Sequence, residues 1–223
     1  LWISTAKTHS MTFDRLVAKK QFSDVESAIA YEFGYYIEYC SKLAILNGDS
    51  PLELQQRHRT KAEIKLVEKK DLKNYFVKKD GTEFIVKNQK YILPYLLPEE
   101  IFYSIAMCKE VVECLDLKFD QSFKNFSMPP GRGSVFTGIK NITIIDSCYN
   151  ANFSSMKAIL DMYKKFPGNN KWAIIGDMLE QGKSEKEEHK KLATLLNSYK
   201  FEKLILLGPR VSEYTYYSLK NKN

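Results

Sequence analysis

The stretch Asn141-Ile-Thr-Ile-Ile-Asp-Ser-Cys-Tyr-Asn-Ala-Asn152 decides how the second half of this chain folds. Its first half is a short apolar run that ends in an acid, which predicts a buried strand at Asn141–Asp146. Its second half is polar and precedes a segment in which apolar residues recur at helical spacing. A strand, a polar loop and a helix in this order predict the start of a βαβ unit with parallel strands.

The same alternation continues to the end of the chain. Further strands are predicted at Trp172–Gly176 and Lys203–Gly208, and helices at Asn152–Phe166, Ser184–Tyr199 and Val211–Leu219. Such a run predicts an α/β fold in which a Rossmann-like parallel sheet is covered by helices. Ligands of these sheets bind at the carboxyl ends of the strands. The candidate binding edge therefore includes residues 146–152, Gly176–Glu180 and Gly208-Pro209.

The first half has a different order of elements. Strands are predicted at Trp2–Thr5, Leu43–Asn47, Glu63–Val67, Asn74–Val77 and Thr82–Lys87, and helices at Asp24–Cys40, Pro98–Cys114 and Asp120–Phe126. The segment Ser127-Met-Pro-Pro-Gly-Arg-Gly133 then concentrates two prolines and two glycines, which is typical of a linker. We therefore predict two domains, residues 1–128 and 129–223.

Composition narrows the class of protein. The chain has 223 residues, of which 44% are hydrophobic, so it can bury a core. It lacks an apolar run of the roughly 18 residues that a membrane helix needs, which predicts no membrane span. Its cysteines and histidines follow no zinc or CxxC spacing, and we expect a reducing, cytoplasmic setting. Because Leu1 already lies in a strand-like run, we interpret the chain as a piece of a longer protein.

The net charge of +7 is concentrated between Arg57 and Lys90, where eleven lysines and arginines face five acids. One interpretation is a patch for an anionic partner, either a nucleic acid or a phosphorylated substrate. The other is a solvated face of a hairpin, because the basic residues alternate with apolar ones as strands require. The pattern favours the second interpretation, and we expect no nucleic-acid partner.

Several side chains could act chemically. Asp146 and the carboxamides of Asn150 and Asn152 could contact a ribose or an adenine edge. Alternatively, Asp146 closes a turn and Asn152 caps the following helix. Asp177 and Glu180 follow the next strand, and they too could either contact a ligand or have a purely structural role. His9 follows a buried strand and is a candidate catalytic or metal-binding residue, whereas His189 lies on the apolar face of its helix and is expected in the core.

The motifs together resemble the Mur ligases of peptidoglycan synthesis. They are Pro129-Pro-Gly-Arg132, Ile145-Asp-Ser-Cys-Tyr-Asn-Ala-Asn152 and Ile175-Gly-Asp-Met-Leu-Glu-Gln-Gly182, followed by His189. The first half is similar to the end of the family's central ATPase domain. The resemblance thus implies that residues 1–128 are the C-terminal portion of that domain and that residues 129–223 are a truncated C-terminal domain.

The resemblance also implies an activity. Mur ligases transfer the γ-phosphate of ATP to the carboxylate of a UDP-linked peptide, and an amine then attacks the acyl phosphate. The member that this chain resembles most adds D-alanyl-D-alanine, so the implied partners are a UDP-N-acetylmuramoyl-peptide and a D-amino-acid dipeptide, with ATP and Mg²⁺ as cofactors. By position, His9 would bind Mg²⁺. The implied nucleotide-binding residues are Arg132, Asp146, Tyr149, Asn150 and Asn152. We expect a monomer.

The chain departs from the family pattern in its first half. It contains no GxxxxGK[ST] phosphate loop, without which we expect it to be inactive alone. Phe33 occupies the position assigned to the family's carbamylated lysine, and Glu99-Glu100 replace a His-Asn pair. Three hypotheses follow: a fragment of a working ligase, which the motifs favour, a non-catalytic Mur-like module that binds a nucleotide or a partner, and a nucleic-acid binder.

Overall fold

The computed structural model describes residues 17 and 21–220 and divides into two compact units. The described residues of the first unit are residue 17, residues 21–76, Thr82–Leu93 and Glu99–Asn125. Those of the second unit are Val77–Gly81, Pro94–Pro98 and residues 126–220. The predicted strand Trp2–Thr5 and His9 lie outside the described residues.

Helix α1 (Val25–Glu38) begins the described part of the first unit. The Asp24 carboxylate accepts hydrogen bonds from the backbone N–H and the hydroxyl of Ser27, at 2.7 and 2.9 Å, and this caps the helix. These bonds also hold the pKa of Asp24 below its usual value. Helix α1 buries Ile29 and Ile37 in a cluster with residues of strand β1 (Leu43–Asn47).

Strand β1 runs parallel to strand β2 (Glu63–Val67), in a register from Leu43↔Glu63 to Asn47↔Val67. The short helix α2 (Pro51–Gln55) connects them. A second sheet follows in the order β3-β4-β5, and after it comes helix α3. Their bounds are β3 Leu72–Lys78, β4 Gly81–Val86, β5 Gln89–Leu93 and α3 Ile101–Cys114.

Most of the predicted elements of the first half are confirmed, with two differences. Strand β5 was not predicted. The helix predicted at Asp120–Phe126 is wrong, because that segment consists of turns. The Asp120 carboxylate accepts the backbone N–H of Ser122 at 2.9 Å, and Phe123 has a φ of 50°. Short polar side chains compete with the helix for backbone groups in this way.

In the second unit, strand β6 (Ser134–Thr137) pairs antiparallel with strand β7 (Thr143–Asp146). Helix α4 (Phe153–Lys165) leads to strand β8 (Trp172–Gly176), and helix α5 (Glu185–Leu196) leads to strand β9 (Lys203–Leu207). Strands β8 and β9 are parallel, in a register from Trp172↔Lys203 to Gly176↔Leu207. The core between this sheet and the helices includes Leu160, Ile175, Met178, Leu192, Leu196 and Val211.

The α/β class is confirmed, and the predicted parallel pairing is confirmed for β8 and β9. The strand predicted at Asn141–Asp146 was expected to join this parallel sheet, and it pairs antiparallel with β6 instead. Strand β7 begins at Thr143 rather than Asn141, because Lys140 and Asn141 adopt positive φ angles of 55° and 57° in a tight turn. Its partner β6 was not predicted. After β9 the chain forms a wide helical turn at Val211–Thr215 instead of a regular α-helix. Within the described residues, no helix has the length and apolarity to cross a membrane.

Candidate functional site

The loop that follows β7 lies against the segment that precedes β6. The register Ser134↔Asp146 continues backwards along β6, because the Gly133 N–H donates to the Asp146 carbonyl at 2.8 Å. Further along, the Tyr149 N–H donates to the Gly131 carbonyl at 3.2 Å. Two of the sequence motifs, 131–133 and 146–149, therefore lie side by side as an extension of the β6–β7 pair.

Gly131 allows this close approach. Its φ is 70°, and a Cβ atom at this position would lie 3.2 Å from both the backbone nitrogen and the Cβ of Tyr149. Only glycine adopts this backbone conformation without strain. A side chain here would push the two motifs apart.

Two of the predicted nucleotide-binding residues contact one another. The Arg132 guanidinium carbon lies 4.2 Å from the centre of the Tyr149 ring, which is a cation–π contact. Tyr149 is 67% exposed, and Arg132 is exposed as well. The pair thus presents a cationic and aromatic surface to solvent at the start of the polar loop.

Asp146 shapes the loop that it begins. Its Oδ1 accepts the Cys148 N–H at 3.0 Å, and its carboxylate also accepts the Cys148 thiol, which raises the pKa of Cys148. The turn-closing interpretation of Asp146 is therefore confirmed. A ribose contact by the same half-buried carboxylate stays a prediction.

Asn150 and Asn152 have separate structural roles. Asn152 caps α4, since its Oδ1 accepts the Ser155 N–H at 2.9 Å while Ser155 Oγ accepts the Asn152 N–H at 3.0 Å. The cap interpretation of Asn152 is confirmed. Asn150 is exposed, and its Oδ1 accepts the N–H of Ala151 at 2.8 Å. Of the two carboxamides, Asn150 is the more accessible to a ligand.

A polar cluster joins the carboxyl ends of β8 and β9. Asp177 Oδ1 accepts the Val211 N–H at 2.8 Å, and its Oδ2 lies 3.6 Å from the Arg210 guanidinium. Arg210 also pairs with Glu185 at the start of α5, at 2.5 Å. Gly208 makes room for this carboxylate, because a Cβ there would lie 2.6 Å from it. The structure therefore gives Asp177 a role in connecting the two strand ends.

His189 is completely buried, as its place on the apolar face predicts. Its Nε2 accepts the Met178 N–H at 3.2 Å, and its Nδ1 lies 2.8 Å from the Glu185 carbonyl. A carbonyl oxygen only accepts, so Nδ1 donates to Glu185 while Nε2 accepts from Met178. His189 thereby holds the loop that follows β8. Sequence reasoning missed this role and those of Arg210 and Glu185, although Arg210 directly follows the strand-end pair Gly208-Pro209.

The remaining candidates of the first half have structural partners. Phe33 packs against the cluster of Ile29 and Ile37, and Glu99 forms an ion pair with Lys69 at 3.0 Å. In the basic stretch 57–90, at least six cations pair with carboxylates, which supports the solvated-face interpretation. Among the described residues, no three histidine, cysteine, aspartate or glutamate side chains are grouped as metal ligands.

Comparison with known proteins shows a family to which the second unit is similar. Residues 131–218 match the family described as Mur ligase, glutamate ligase domain. This part of the chain is thus similar to a Mur ligase C-terminal domain. A UDP-N-acetylmuramoyl-tripeptide–D-alanyl-D-alanine ligase from Rickettsia prowazekii is 36% identical over 98 residues, which is 44% of this chain and 21% of the relative.

The fold of the Mur ligase MurF extends over most of the chain. The MurF ligase from Thermotoga maritima, solved in complex with ADP, matches 89% of this chain and 59% of its own, with a TM-score of 0.67 and 20% identity. MurF from Acinetobacter baumannii matches 94% of this chain and 46% of its own, with a TM-score of 0.73 and 17% identity. The resemblance predicted from the motifs is thus confirmed. The alignment with the Rickettsia relative spans about a fifth of that relative's length.

Proposed function

We propose that this chain is part of an ATP-dependent ligase that adds D-alanyl-D-alanine to UDP-N-acetylmuramoyl-tripeptide. The observation that carries the proposal is the polar loop 146–152, which the β6–β7 register brings beside Arg132 within the matched Mur ligase domain. The relative from Rickettsia prowazekii, which matches over 44% of this chain, bears the name of this ligase.

The proposal assigns each part of the chain a task. Residues 1–128 belong to the central ATPase domain, and residues 129–223 belong to the C-terminal domain. The second unit resumes at Phe126, close to this boundary, which supports it. The cytoplasm, where ATP and UDP-linked precursors are found, is the proposed location.

In the reaction, this chain's residues bind and orient the nucleotide. Phosphoryl transfer depends on positioning and charge more than on a side-chain nucleophile. Arg132 supplies positive charge for phosphate oxygens, and Asn150 presents an accessible carboxamide. Asp146, Tyr149 and Asn152 complete the proposed nucleotide site, in which Tyr149 lies against Arg132. Mg²⁺ would supply further charge for the phosphates. Its proposed ligand His9 lies outside the described residues, and the described ones offer no cluster of ligands for it.

The test uses the ligase that contains this sequence. ADP formation is measured with UDP-N-acetylmuramoyl-tripeptide and, in turn, D-alanyl-D-alanine, meso-diaminopimelate and lysine. Of the three amines, we expect only D-alanyl-D-alanine to support turnover. Turnover with another amine would contradict the substrate assignment, and the absence of ADP with every amine would contradict the ligase.

Asn150→Ala tests the site itself. We expect it to weaken ATP use while leaving the circular dichroism spectrum and unfolding midpoint unchanged. The matched control is Asn170→Ala, at an exposed asparagine in the α4–β8 loop. If Asn150→Ala and Asn170→Ala show the same ATP KM and turnover, the site assignment is wrong.

A non-catalytic Mur-like module is the second candidate function. One observation favours it: Phe33, placed by the resemblance where the family has its carbamylated lysine, packs against the core and carries no amine. This candidate predicts ATP binding by equilibrium dialysis without ADP formation in the same preparation.

A further inference from the structure

We propose that Tyr149 is a positioning residue for Arg132, so that it acts on the nucleotide through the guanidinium rather than by touching the nucleotide itself. This inference rests on the proposed function. The ring of Tyr149 lies 4.2 Å from the guanidinium carbon of Arg132, and Arg132 therefore covers one face of that ring.

The backbone fixes where the Tyr149 ring lies. The Tyr149 N–H donates to the Gly131 carbonyl at 3.2 Å, and Gly131 has no Cβ to keep the two segments apart. On the other side of Arg132, the Gly133 N–H donates to the Asp146 carbonyl at 2.8 Å. Backbone hydrogen bonds thus hold both neighbours of Arg132 against the loop that carries Tyr149.

The contact between guanidinium and ring suits phosphate recognition. A cation–π contact depends on the charge of the guanidinium over the ring face, so the N–H groups that point away from the ring remain able to donate to phosphate oxygens. An arginine without this support samples many rotamers and loses more entropy on binding. The ring therefore pre-organises the group that contacts the phosphates.

The size of the effect follows from exposure. Both side chains are exposed, and exposed cation–π contacts of this kind change an equilibrium by roughly two- to five-fold. We therefore expect Tyr149→Leu to lower kcat/KM for ATP by about two- to five-fold, and Tyr149→Phe, which keeps the aromatic face, to restore it.

The first measurement uses the chain of 223 residues and needs no nucleotide. In NMR spectra, the Arg132 side-chain Hε and Hδ resonances are expected to shift upfield because of the ring current of Tyr149. The shift should persist in Tyr149→Phe and disappear in Tyr149→Leu. Resonances that are the same in all three proteins would overturn the stacking and leave the ligase proposal intact.

The second measurement is a double-mutant cycle in the ligase that contains this sequence. Tyr149→Leu should reduce kcat/KM for ATP in the wild-type background and have no further effect in Arg132→Ala. Tyr217→Leu, which removes a similarly exposed tyrosine, is the matched control and should have no effect. A Tyr149→Phe variant as impaired as Tyr149→Leu, or additive effects in the cycle, would overturn the inference, because either result means direct contact with the nucleotide.

The proposed function can fail separately. If the NMR shift is present but Arg132→Ala leaves ATP kinetics unchanged, the stack exists without a nucleotide role, and the inference is overturned. If the ligase makes no ADP at all, the proposed function fails while the NMR measurement still decides the stacking.

Discussion

Glu53 provides the sharpest test of the packing in the first unit. Its side chain is only 1% exposed, and burial raises its pKa from 4.5 to about 7, although the Asn47 N–H donates to its Oε2 at 3.0 Å. Between these two pH values the folded chain keeps a proton that the unfolded chain has lost. Stability therefore decreases as the pH rises from about 4.5 to 7, and it is constant with respect to this group above that range.

The size of the loss follows from the pKa shift. Each pKa unit corresponds to about 1.4 kcal/mol, so the loss is at most about 3 kcal/mol. Glu53→Gln keeps the shape and an acceptor for the Asn47 N–H and removes the ionisation. The free energy of unfolding of Glu53→Gln minus that of the wild type should therefore increase by up to about 3 kcal/mol as the pH rises from 4.5 to 8.

The measurement is urea unfolding of both proteins at half-unit steps from pH 4.5 to 8, followed by circular dichroism. The matched control is Glu113→Gln, at an exposed helix residue paired with Lys109, and its difference from wild type should stay within about 0.5 kcal/mol. If the difference between Glu53→Gln and the wild type does not change with pH, Glu53 ionises as it would in water and the reasoning is wrong.

Three further predictions concern the second unit. Gly208→Ala should lower the free energy of unfolding in urea more than Gly168→Ala does. The φ angles of the two glycines are alike, 131° and 134°, but only a Cβ at position 208 would collide with Asp177. Equal losses of free energy would contradict the collision. His189→Leu should cost about 1–3 kcal/mol and speed hydrogen exchange of the Met178 amide, and His189→Gln should recover part of both; unchanged exchange would refute this acceptor role. Asn152→Ala should lower the free energy of unfolding by about 1 kcal/mol through loss of the α4 cap, whereas Asn150→Ala should not, and equal losses would show that the cap assignment is wrong.

Local patterns predicted the elements that carry their own signal. The strands β1, β2 and β8 have the predicted bounds, because each is a short, largely apolar run between turn residues or charges. Strand β5 has no such signal, since it begins with Gln89 and Lys90. Its place depends on pairing with β4, where Tyr91 lies opposite Phe84 and their rings stack at 5.4 Å.

In the candidate site, too, local sequence predicted some features and tertiary pairing decided others. The motifs identified Arg132, Asp146, Tyr149, Asn150 and Asn152 as residues of interest, and the cap role of Asn152 could be read from its place before an amphipathic segment. The contact between Arg132 and Tyr149 could not, because it depends on the β6–β7 register and strand β6 was not predicted.

The sequence by itself determined the family resemblance, most of the strands and helices and the burial of His189, because these depend on residue types and spacing. The tertiary structure alone decided which groups meet: Met178 with His189, Asp177 with Val211, and Arg132 with Tyr149. It also decided the raised pKa of Glu53. The pKa of Glu53 depends on how completely the fold encloses its carboxylate, and the contacts depend on the register between distant segments. A local sequence pattern contains neither quantity.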